Sequence, residues 1–173
     1  MALTPLIVAT GALFLLMLSA FLSACEAALT AASRARLHDL ERRGNRRATA
    51  VLRLTGKREA TAGALLLGKS LCTLTATALV SAHFVAAFGV TGIAYAALLM
   101  TILVLVLVEL APKTIAIIHA DRIVLATAAI LSPVLLPLSV AVMAVGSLIR
   151  HIARTLGADI PANQDVLSAH REL

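Results

Sequence analysis

Four charged residues lie inside apolar stretches of the sequence, where a charge needs a partner or a function: Glu26, Lys69, Glu109 and Lys113. On insertion scales a charge at the centre of a membrane helix costs about 2.5 to 3.5 kcal/mol. Glu109 is the most informative of the four, because the seventeen residues from Gly92 to Val108 carry no charge. It is therefore a candidate for a buried cation-binding group.

A proline three residues after Glu109 strengthens this interpretation. Pro112 donates no backbone hydrogen bond, so it should kink or unwind the helix and free a carbonyl one turn earlier. That carbonyl can join the Glu109 carboxylate as an oxygen ligand, and a broken membrane helix is a candidate binding or gating element. The alternative is that Lys113, four residues after Glu109, neutralises it within one helix.

A second polar stripe is formed by Lys69, Thr73 and Thr77, which follow one another at four-residue intervals. Ser70 lies beside the stripe, and Gly68 before it allows close approach of another backbone. This face should point into the protein interior rather than to lipid. For each hydroxyl, the alternative is a hydrogen bond to its own helix backbone.

The first apolar stretch carries Ser23 and, three residues later on the same helical face, Glu26. Glu26 has the alternative of pairing with the basic segment that follows. Oxygen ligands from Ser, Thr, Glu and backbone carbonyls suit a hard cation such as Mg²⁺ or Na⁺, whereas clusters of thiolate or imidazole ligands do not occur in the sequence. The sequence contains no phosphate-binding loop, nucleophile elbow or metalloprotease helix, so we do not expect an enzyme.

The elements that carry these residues are predicted to be membrane helices. The chain has 173 residues, 60% hydrophobic and 14% charged, with a mean hydropathy of +0.96, which excludes an ordinary soluble domain. Each apolar stretch is long enough to cross a hydrocarbon core of about 30 Å at about 1.5 Å per residue. They run from Thr4 to about Ala28, Thr61 to Phe88, Ile93 to about Ile118, and Ile123 to Ile149.

A strongly basic segment from Arg34 to Arg58 follows the first span and holds nine of the fifteen Lys and Arg residues. Its apolar spacing predicts short amphipathic helices broken at Gly44-Asn45. This charge pattern orients a membrane protein, so we place the segment on the cytoplasmic surface, against membrane lipids, with the N-terminus outside. Nucleic acid is not an expected partner.

Counting crossings gives the rest of the topology. With the basic segment inside, three crossings return His119 to Arg122 to the cytoplasm, and a full fourth crossing would put Arg150 to Arg154 outside, against the charge rule. Pro133 and Pro137 instead predict a broken helical hairpin. The predicted fold is an all-α integral membrane protein of the inner membrane, with three transmembrane helices, a juxtamembrane hairpin and a cytoplasmic C-terminus. Four full spans are the alternative.

Five motifs follow one another along the chain: Ser23-Ala-Cys-Glu-Ala-Ala-Leu29, Ser33-Arg-Ala-Arg-Leu37, Gly44-Asn-Arg-Arg-Ala48, Leu66-Leu-Gly68 and Glu109-Leu-Ala-Pro-Lys113. Together, in this order, they resemble the DUF21 transmembrane domain of the CorC and cyclin M magnesium transporters. The resemblance covers about residues 5 to 155 and implies a homodimer with a Mg²⁺ site between Ser23, the Gly68 region and Glu109. We assign residues 1–155 to this domain and 156–173 to a polar linker.

One motif departs from the family. Relatives usually carry a Gly-Asn-Asn sequence with another Asn three residues later, where this chain has Gly68-Lys69-Ser70 and Thr73. An ammonium at Lys69 can pair with Glu109 and occupy the space of the cation. The family also carries a cytosolic pair of CBS repeats and a small C-terminal domain, which we expect in full-length relatives; this sequence stops where they would begin.

The resulting hypothesis is a Mg²⁺ transporter core working by efflux or Na⁺-coupled exchange. Glu109 is the principal ligand, with neutral oxygens from Ser23, the Gly68 region, Ser70 and Thr73. The gating or ion-pair candidates are Glu26, Lys69, Pro112 and Lys113. The alternative is a membrane anchor or assembly module that does not transport and in which Lys69 and Glu109 form a structural ion pair.

Overall fold

The computed structural model describes residues 3–56 and 58–128, and every element it describes is helical. A further helix covers residues 120–128. The remainder of the predicted hairpin, with Pro133 and Pro137, and the C-terminal linker lie outside the described residues. The helices are α1 (Leu3–Ala31), α2 (Arg34–Arg42), α3 (Arg46–Gly56), α4 (Arg58–Phe88), α5 (Gly92–Leu103), a π-helical stretch (Val104–Leu110) and α6 (Ala111–Ile118).

Three long helical rods form the body of the protein. The first is α1, the second is α4, and the third runs from Gly92 to Ile118 through α5, the π-helical stretch and α6. Two stretches, Pro5–Ala31 and Thr61–Ile118, are long and apolar enough to cross a membrane. Large apolar side chains such as Phe14, Leu71 and Leu98 remain about two-thirds exposed, as expected for a surface that faces lipid.

The second and third rods are joined by a short uncharged turn, which lies in the gap between the second and third apolar stretches of the sequence. Gly89–Thr91 form one 3₁₀ turn, and Gly89 has φ +66, a conformation that glycine adopts readily. Gly92 then begins α5 directly against the backbone of Phe84 in α4. The chain therefore reverses within a few residues, and α4 and α5 pack as a helical hairpin.

The contact at Gly92 gives a stability prediction. A methyl group there would overlap the backbone carbonyl of Phe84, so Gly92→Ala should force the hairpin apart and cost about 1 to 3 kcal/mol. Thermal unfolding in detergent should show a clearly lower midpoint. Gly11→Ala is the matched control, because a methyl at Gly11 in α1 meets no atom within 4 Å. Equal midpoints for the two variants would contradict the predicted overlap.

The basic segment folds as two helices that break at Gly44-Asn45, which confirms the predicted break. Gly44 has φ +83, and the Asn45 side chain accepts a hydrogen bond from the backbone N–H of Arg47 at 3.0 Å. Leu37 and Val51 point inward, fully buried against the ends of α1 and α6. The arginines of α2 and α3 are exposed, so these two helices are amphipathic.

An ion pair ties this segment to the end of the third rod. Asp121 accepts a hydrogen bond from Arg36 Nη1 at 2.7 Å and another from the backbone N–H of Ser33 at 3.1 Å. Residues 33–36 begin α2, and Asp121 follows α6 by three residues. The end of the third rod and the start of the basic segment therefore lie on the same side of the protein.

The helix around Pro112 differs from the predicted kink. Instead of unwinding, residues Val104–Leu110 adopt π-helical turns and continue directly into α6. The backbone N–H of Ala111 donates to the carbonyl of Val106, five residues earlier. Because Pro112 cannot donate the bond of a regular α-helix, wider turns accommodate the missing donor without breaking the rod. Glu109 lies within this π-helical stretch.

Candidate functional site

Lys69 in α4 is the centre of the polar interior. Its Nζ lies 2.8 Å from Oε1 of Glu109 in the π-helical stretch and 3.7 Å from Oε2 of Glu26 in α1. Only 11% of the Lys69 side chain is exposed, so the ammonium is largely withdrawn from solvent. One cationic group thus bridges carboxylates from the two rods that flank α4.

The other oxygen of Glu109 binds a second ammonium. Lys113 Nζ lies 2.6 Å from Glu109 Oε2, one helical turn further along the chain. Both proposed partners of Glu109 are therefore present together. The four Lys, Arg, Asp and Glu residues within the two candidate membrane stretches form one network of two carboxylates and two ammonium groups, with a formal charge of zero.

Ser19 belongs to this site although sequence reasoning missed it. Its buried hydroxyl donates to the backbone carbonyl of Lys69 at 3.1 Å and lies 2.7 Å from the hydroxyl of Thr73. The available signal was spacing, because Ser19, Ser23 and Glu26 follow at intervals of four and three residues on one face of α1. Small polar residues on such a face hold α1 close to α4.

Two buried oxygen atoms of α1 lack a hydrogen-bond partner among the described residues. They are Ser23 Oγ, on a side chain that is fully buried, and Glu26 Oε2, for which Lys69 at 3.7 Å is within ion-pair range but too far for a hydrogen bond. Leaving a buried polar atom unsatisfied costs about 1 to 3 kcal/mol. These two oxygens, one turn apart, are therefore available as hydrogen-bond acceptors or ligands.

The remaining residues singled out from the sequence are not part of the charged network. Gly68 is buried and Ser70 is half-buried beside Lys69 in α4. Thr77 donates a hydrogen bond to the carbonyl of Thr73. This is the bond to its own helix backbone that was expected from sequence as the alternative for each hydroxyl. Pro112 is half-buried in the first turn of α6. Among the residues singled out from sequence, the structure therefore brings together Glu26, Lys69, Thr73, Glu109 and Lys113.

A small cavity opens beside Glu26, where α1, α3 and α4 meet near the basic segment. Its volume is about 70 Å³, enough for a few water molecules. Thr30, Thr55, Thr61 and Arg34 give the lining a polar character, together with Glu26 itself. Because Glu26 also contacts Lys69, polar groups run from this cavity to the centre of the site.

The polar path ends in an apolar layer on the opposite side. Ser19 and Thr73 are followed, one turn further from the basic segment, by Leu16 in α1 and Ala76 in α4. These residues pack with Met100 and Val108 of the third rod into a buried cluster. Polar groups therefore lie between the site and the basic segment, whereas buried apolar side chains lie on the other side of the site.

The donor chemistry is that of oxygen ligands. No group of three or more His, Cys, Asp or Glu side chains that could hold a metal ion occurs in the described part of the chain. A cation here would be bound by the Glu109 and Glu26 carboxylates, serine or threonine hydroxyls and backbone carbonyls, a set that suits a hard cation. Lys69 would first have to release Glu109.

Glu109 has two ammonium groups within 3 Å, whereas Lys69 has one carboxylate at that distance, so substitutions at the two positions should destabilise the protein unequally. Glu109→Gln leaves two ammonium groups with Glu26 as the nearby carboxylate, whereas Lys69→Gln leaves Glu109 paired with Lys113. Each variant leaves one uncompensated charge, since Lys69→Gln deprives Glu26 of its charged partner. We nevertheless expect Glu109→Gln to destabilise the protein by about 1 kcal/mol more than Lys69→Gln, because it breaks two short ion pairs, at 2.8 and 2.6 Å, whereas Lys69→Gln breaks one at 2.8 Å and a longer one at 3.7 Å. Unfolding in mixed detergent micelles measures the difference; a reversed order would show that leaving Glu26 without its partner costs more than losing the pair between Glu109 and Lys113.

Comparison with known proteins places these features in a family. The profile described as "Cyclin M transmembrane N-terminal domain" matches residues 10–172. The chain is 29% identical over 140 residues to the UPF0053 inner membrane protein YfjD of Escherichia coli K12, covering 81% of this chain and 33% of that protein. It is 32% identical over 108 residues to a UPF0053 protein of Haemophilus influenzae, covering 62% and 26%.

The chain spans a third or less of the length of these curated relatives. The family match nevertheless includes almost all of the described residues, and with them α1, α4 and the third rod, which carry the charged network. The name of the E. coli relative and the two long apolar stretches support a location in a membrane. The chain therefore belongs to the cyclin M (CNNM, DUF21) transmembrane-domain family and is a membrane protein.

Proposed function

We propose that this chain is the membrane-embedded core of a Mg²⁺ transporter, in which the Lys69 ammonium holds the cation position until Mg²⁺ displaces it. The observation that carries the proposal is the position of Lys69 Nζ between the carboxylates of Glu109 and Glu26. A position that binds an ammonium between two carboxylates is electrostatically suited to a cation of higher charge. Family membership and the carboxylate, hydroxyl and carbonyl oxygens around Lys69 support Mg²⁺ as the substrate.

The surroundings of Lys69 supply the other ligands. Ser23 Oγ and Glu26 Oε2 are buried without hydrogen-bond partners among the described residues, so they can turn to an incoming cation without breaking an existing bond. Mg²⁺ keeps several water molecules when protein carboxylates bind it, and the cavity beside Glu26 has room for a few. Glu109 is the principal ligand in this proposal, with Ser23, Ser70 and Thr73 as neutral donors.

The proposed topology has three crossings, by α1, α4 and the third rod. The arginines of α2 and α3 favour a cytoplasmic basic segment and therefore an external N-terminus. On this orientation the cavity beside Glu26 opens toward the cytoplasm and the apolar layer at Leu16 and Met100 faces outward. A homodimer in the inner membrane, with cytosolic regulatory modules in longer relatives, is the proposed assembly.

The direct test is Mg²⁺ flux by the purified chain in lipid vesicles. Vesicles containing a Mg²⁺-sensitive dye should report flux at least tenfold faster than protein-free vesicles, with Na⁺ present on both sides. Circular dichroism of the same vesicles establishes that the chain is helical. A helical, inserted chain that gives only the protein-free rate would overturn the proposal.

A second candidate function is a membrane anchor or assembly module that does not transport. The zero formal charge of the network favours it, because two carboxylates already paired with two ammonium groups need no external cation. In that case Mg²⁺ would neither bind to the chain nor cross the vesicle membrane. The flux measurement above therefore separates the two candidates.

A further inference from the structure

We infer that an anionic phospholipid binds where the end of the third rod meets the basic segment, with its phosphate in a cavity lined by Arg36 and Arg122. The inference rests on the proposed crossing of the membrane by the third rod and does not depend on Mg²⁺ transport. The cavity lies between the end of α1, the start of α2 and the end of α6 with the turn that follows it. Its volume is about 370 Å³, within the range of about 300 to 1,000 Å³ that is usual for small-molecule sites.

The lining of this cavity contains a cationic group without a counter-ion. Arg36 and Arg122 line it, and Asp121 is the carboxylate among the described lining residues. Asp121 is already bound by Arg36 Nη1 at 2.7 Å and by the backbone N–H of Ser33 at 3.1 Å. Arg122 is exposed and forms no ion pair within the described part of the chain. The cavity therefore has one positive charge available for an anion.

The donors around the cavity suit a phosphate. A guanidinium presents five N–H donors in a planar arrangement that matches phosphate oxygens. Arg36 uses Nη1 for Asp121, and its other side-chain nitrogens have no hydrogen-bond partner among the described residues. His119 also lines the cavity and contributes a ring N–H donor. A phosphodiester brings one negative charge and several acceptor oxygens, so it balances the charge of Arg122 and can accept from more than one of these side chains.

The apolar part of the cavity indicates that the phosphate belongs to a lipid. Ile117 and Ile118 also line it, and their side chains are 60% and 70% exposed. They end the apolar stretch Thr61–Ile118, which is long enough to cross a membrane. Acyl chains can therefore lie against these isoleucines while the headgroup reaches the guanidinium groups. A phosphate ion from solution would use the charged side of the cavity and leave the isoleucines uncovered.

A single introduced tryptophan can report the lipid at this position, because the chain contains no tryptophan of its own. Ile118→Trp places the reporter at the cavity, and Leu71→Trp places it on α4 at a side chain of similar exposure, 68% against 70%. The variants are inserted into vesicles of phosphatidylcholine and phosphatidylglycerol in which one or the other lipid is brominated. Quenching then gives the ratio of the two lipids next to each tryptophan. We expect a preference for phosphatidylglycerol of about fivefold at position 118, the effect of one basic side chain near anionic lipid, and none at position 71.

A charge-matched pair of variants assigns the preference to the cavity. In the Ile118→Trp background, Arg122→Gln should reduce it to the value at position 71. Arg42→Gln removes the same formal charge from an exposed side chain of α2 that does not line the cavity and forms no ion pair among the described residues, so it should leave the preference unchanged. Millimolar glycerol 3-phosphate, which has the phosphate but no acyl chains, should not reduce the quenching.

Three results would overturn the inference. Equal lipid ratios at positions 118 and 71 would show that the chain has no preferred lipid at the cavity, and this comparison does not depend on any charge variant. Equal losses in Arg122→Gln and Arg42→Gln would assign the preference to the net charge of the basic side rather than to Arg122. Relief of quenching by glycerol 3-phosphate would assign the cavity to a phosphate from solution. None of these measurements involves Mg²⁺, so their failure leaves the proposed transport function to its own flux test.

Discussion

Replacing Glu109 by glutamine is expected to reduce Mg²⁺ flux to the rate of protein-free vesicles. The substitution preserves the size of the side chain and an oxygen ligand but removes the negative charge. Mg²⁺ then meets two ammonium groups, Lys69 and Lys113, with Glu26 as the nearby carboxylate. Bringing a divalent cation next to uncompensated like charges is unfavourable, and hydroxyl and amide oxygens bind Mg²⁺ too weakly to offset it.

The control for this prediction must separate lost transport from lost structure, because Glu109→Gln should also destabilise the protein. Restoring the charge balance achieves this: Glu109→Gln combined with Lys113→Gln returns the network to one carboxylate and one ammonium and should recover most of the stability. That double variant should still fail to transport, since the principal ligand is absent. Wild-type flux in a well-folded Glu109→Gln protein would exclude Glu109 as a ligand.

The features that could be predicted from sequence depend on neighbours along the chain. The break between α2 and α3 follows from Gly44-Asn45, where a left-handed backbone conformation separates two amphipathic stretches. The turn at Gly89–Thr91 and the contact between Glu109 and Lys113 are local in the same sense, one within a few residues and the other within one helical turn. Apolar length alone indicated membrane helices.

The remaining features of the fold and of the site depend on packing between the rods, which the sequence composition does not determine. Lys69 and Glu109 are forty residues apart, and their contact requires α4 and the π-helical stretch to meet in one register. The lysine at position 69 of the motif suggested this pair. For Glu26 the sequence offered the basic segment as an alternative partner, whereas its charged partner among the described residues is Lys69. Ser19 was missed because a lone serine in an apolar stretch usually bonds its own helix. The sequence predicted a kink at Pro112, but the wider π-helical turns of Val104–Leu110 accommodate the missing hydrogen-bond donor without one.

Replacing Lys69 by asparagine is expected to tighten Mg²⁺ binding about 10- to 100-fold. In the wild type, Mg²⁺ must displace an ammonium that holds Glu109 at 2.8 Å, and hydrogen bonds to charged groups contribute about 1.5 to 3 kcal/mol. Removing this competitor returns a similar amount to the binding free energy, and about 1.4 kcal/mol corresponds to a tenfold change in Kd. The amide also contributes an oxygen ligand in place of a positive charge.

Isothermal titration with Mg²⁺ in a buffer without Na⁺ measures this change, because no transport cycle contributes to an equilibrium measurement. Lys113→Asn serves as the comparison: it also frees one oxygen of Glu109, but the Lys69 ammonium still competes for the site, so its affinity should rise by much less. Equal gains in both variants would mean that Mg²⁺ responds to net charge alone. An unchanged affinity in Lys69→Asn would mean that the ammonium does not occupy the cation position, and the proposed displacement of Lys69 by Mg²⁺ would then be wrong.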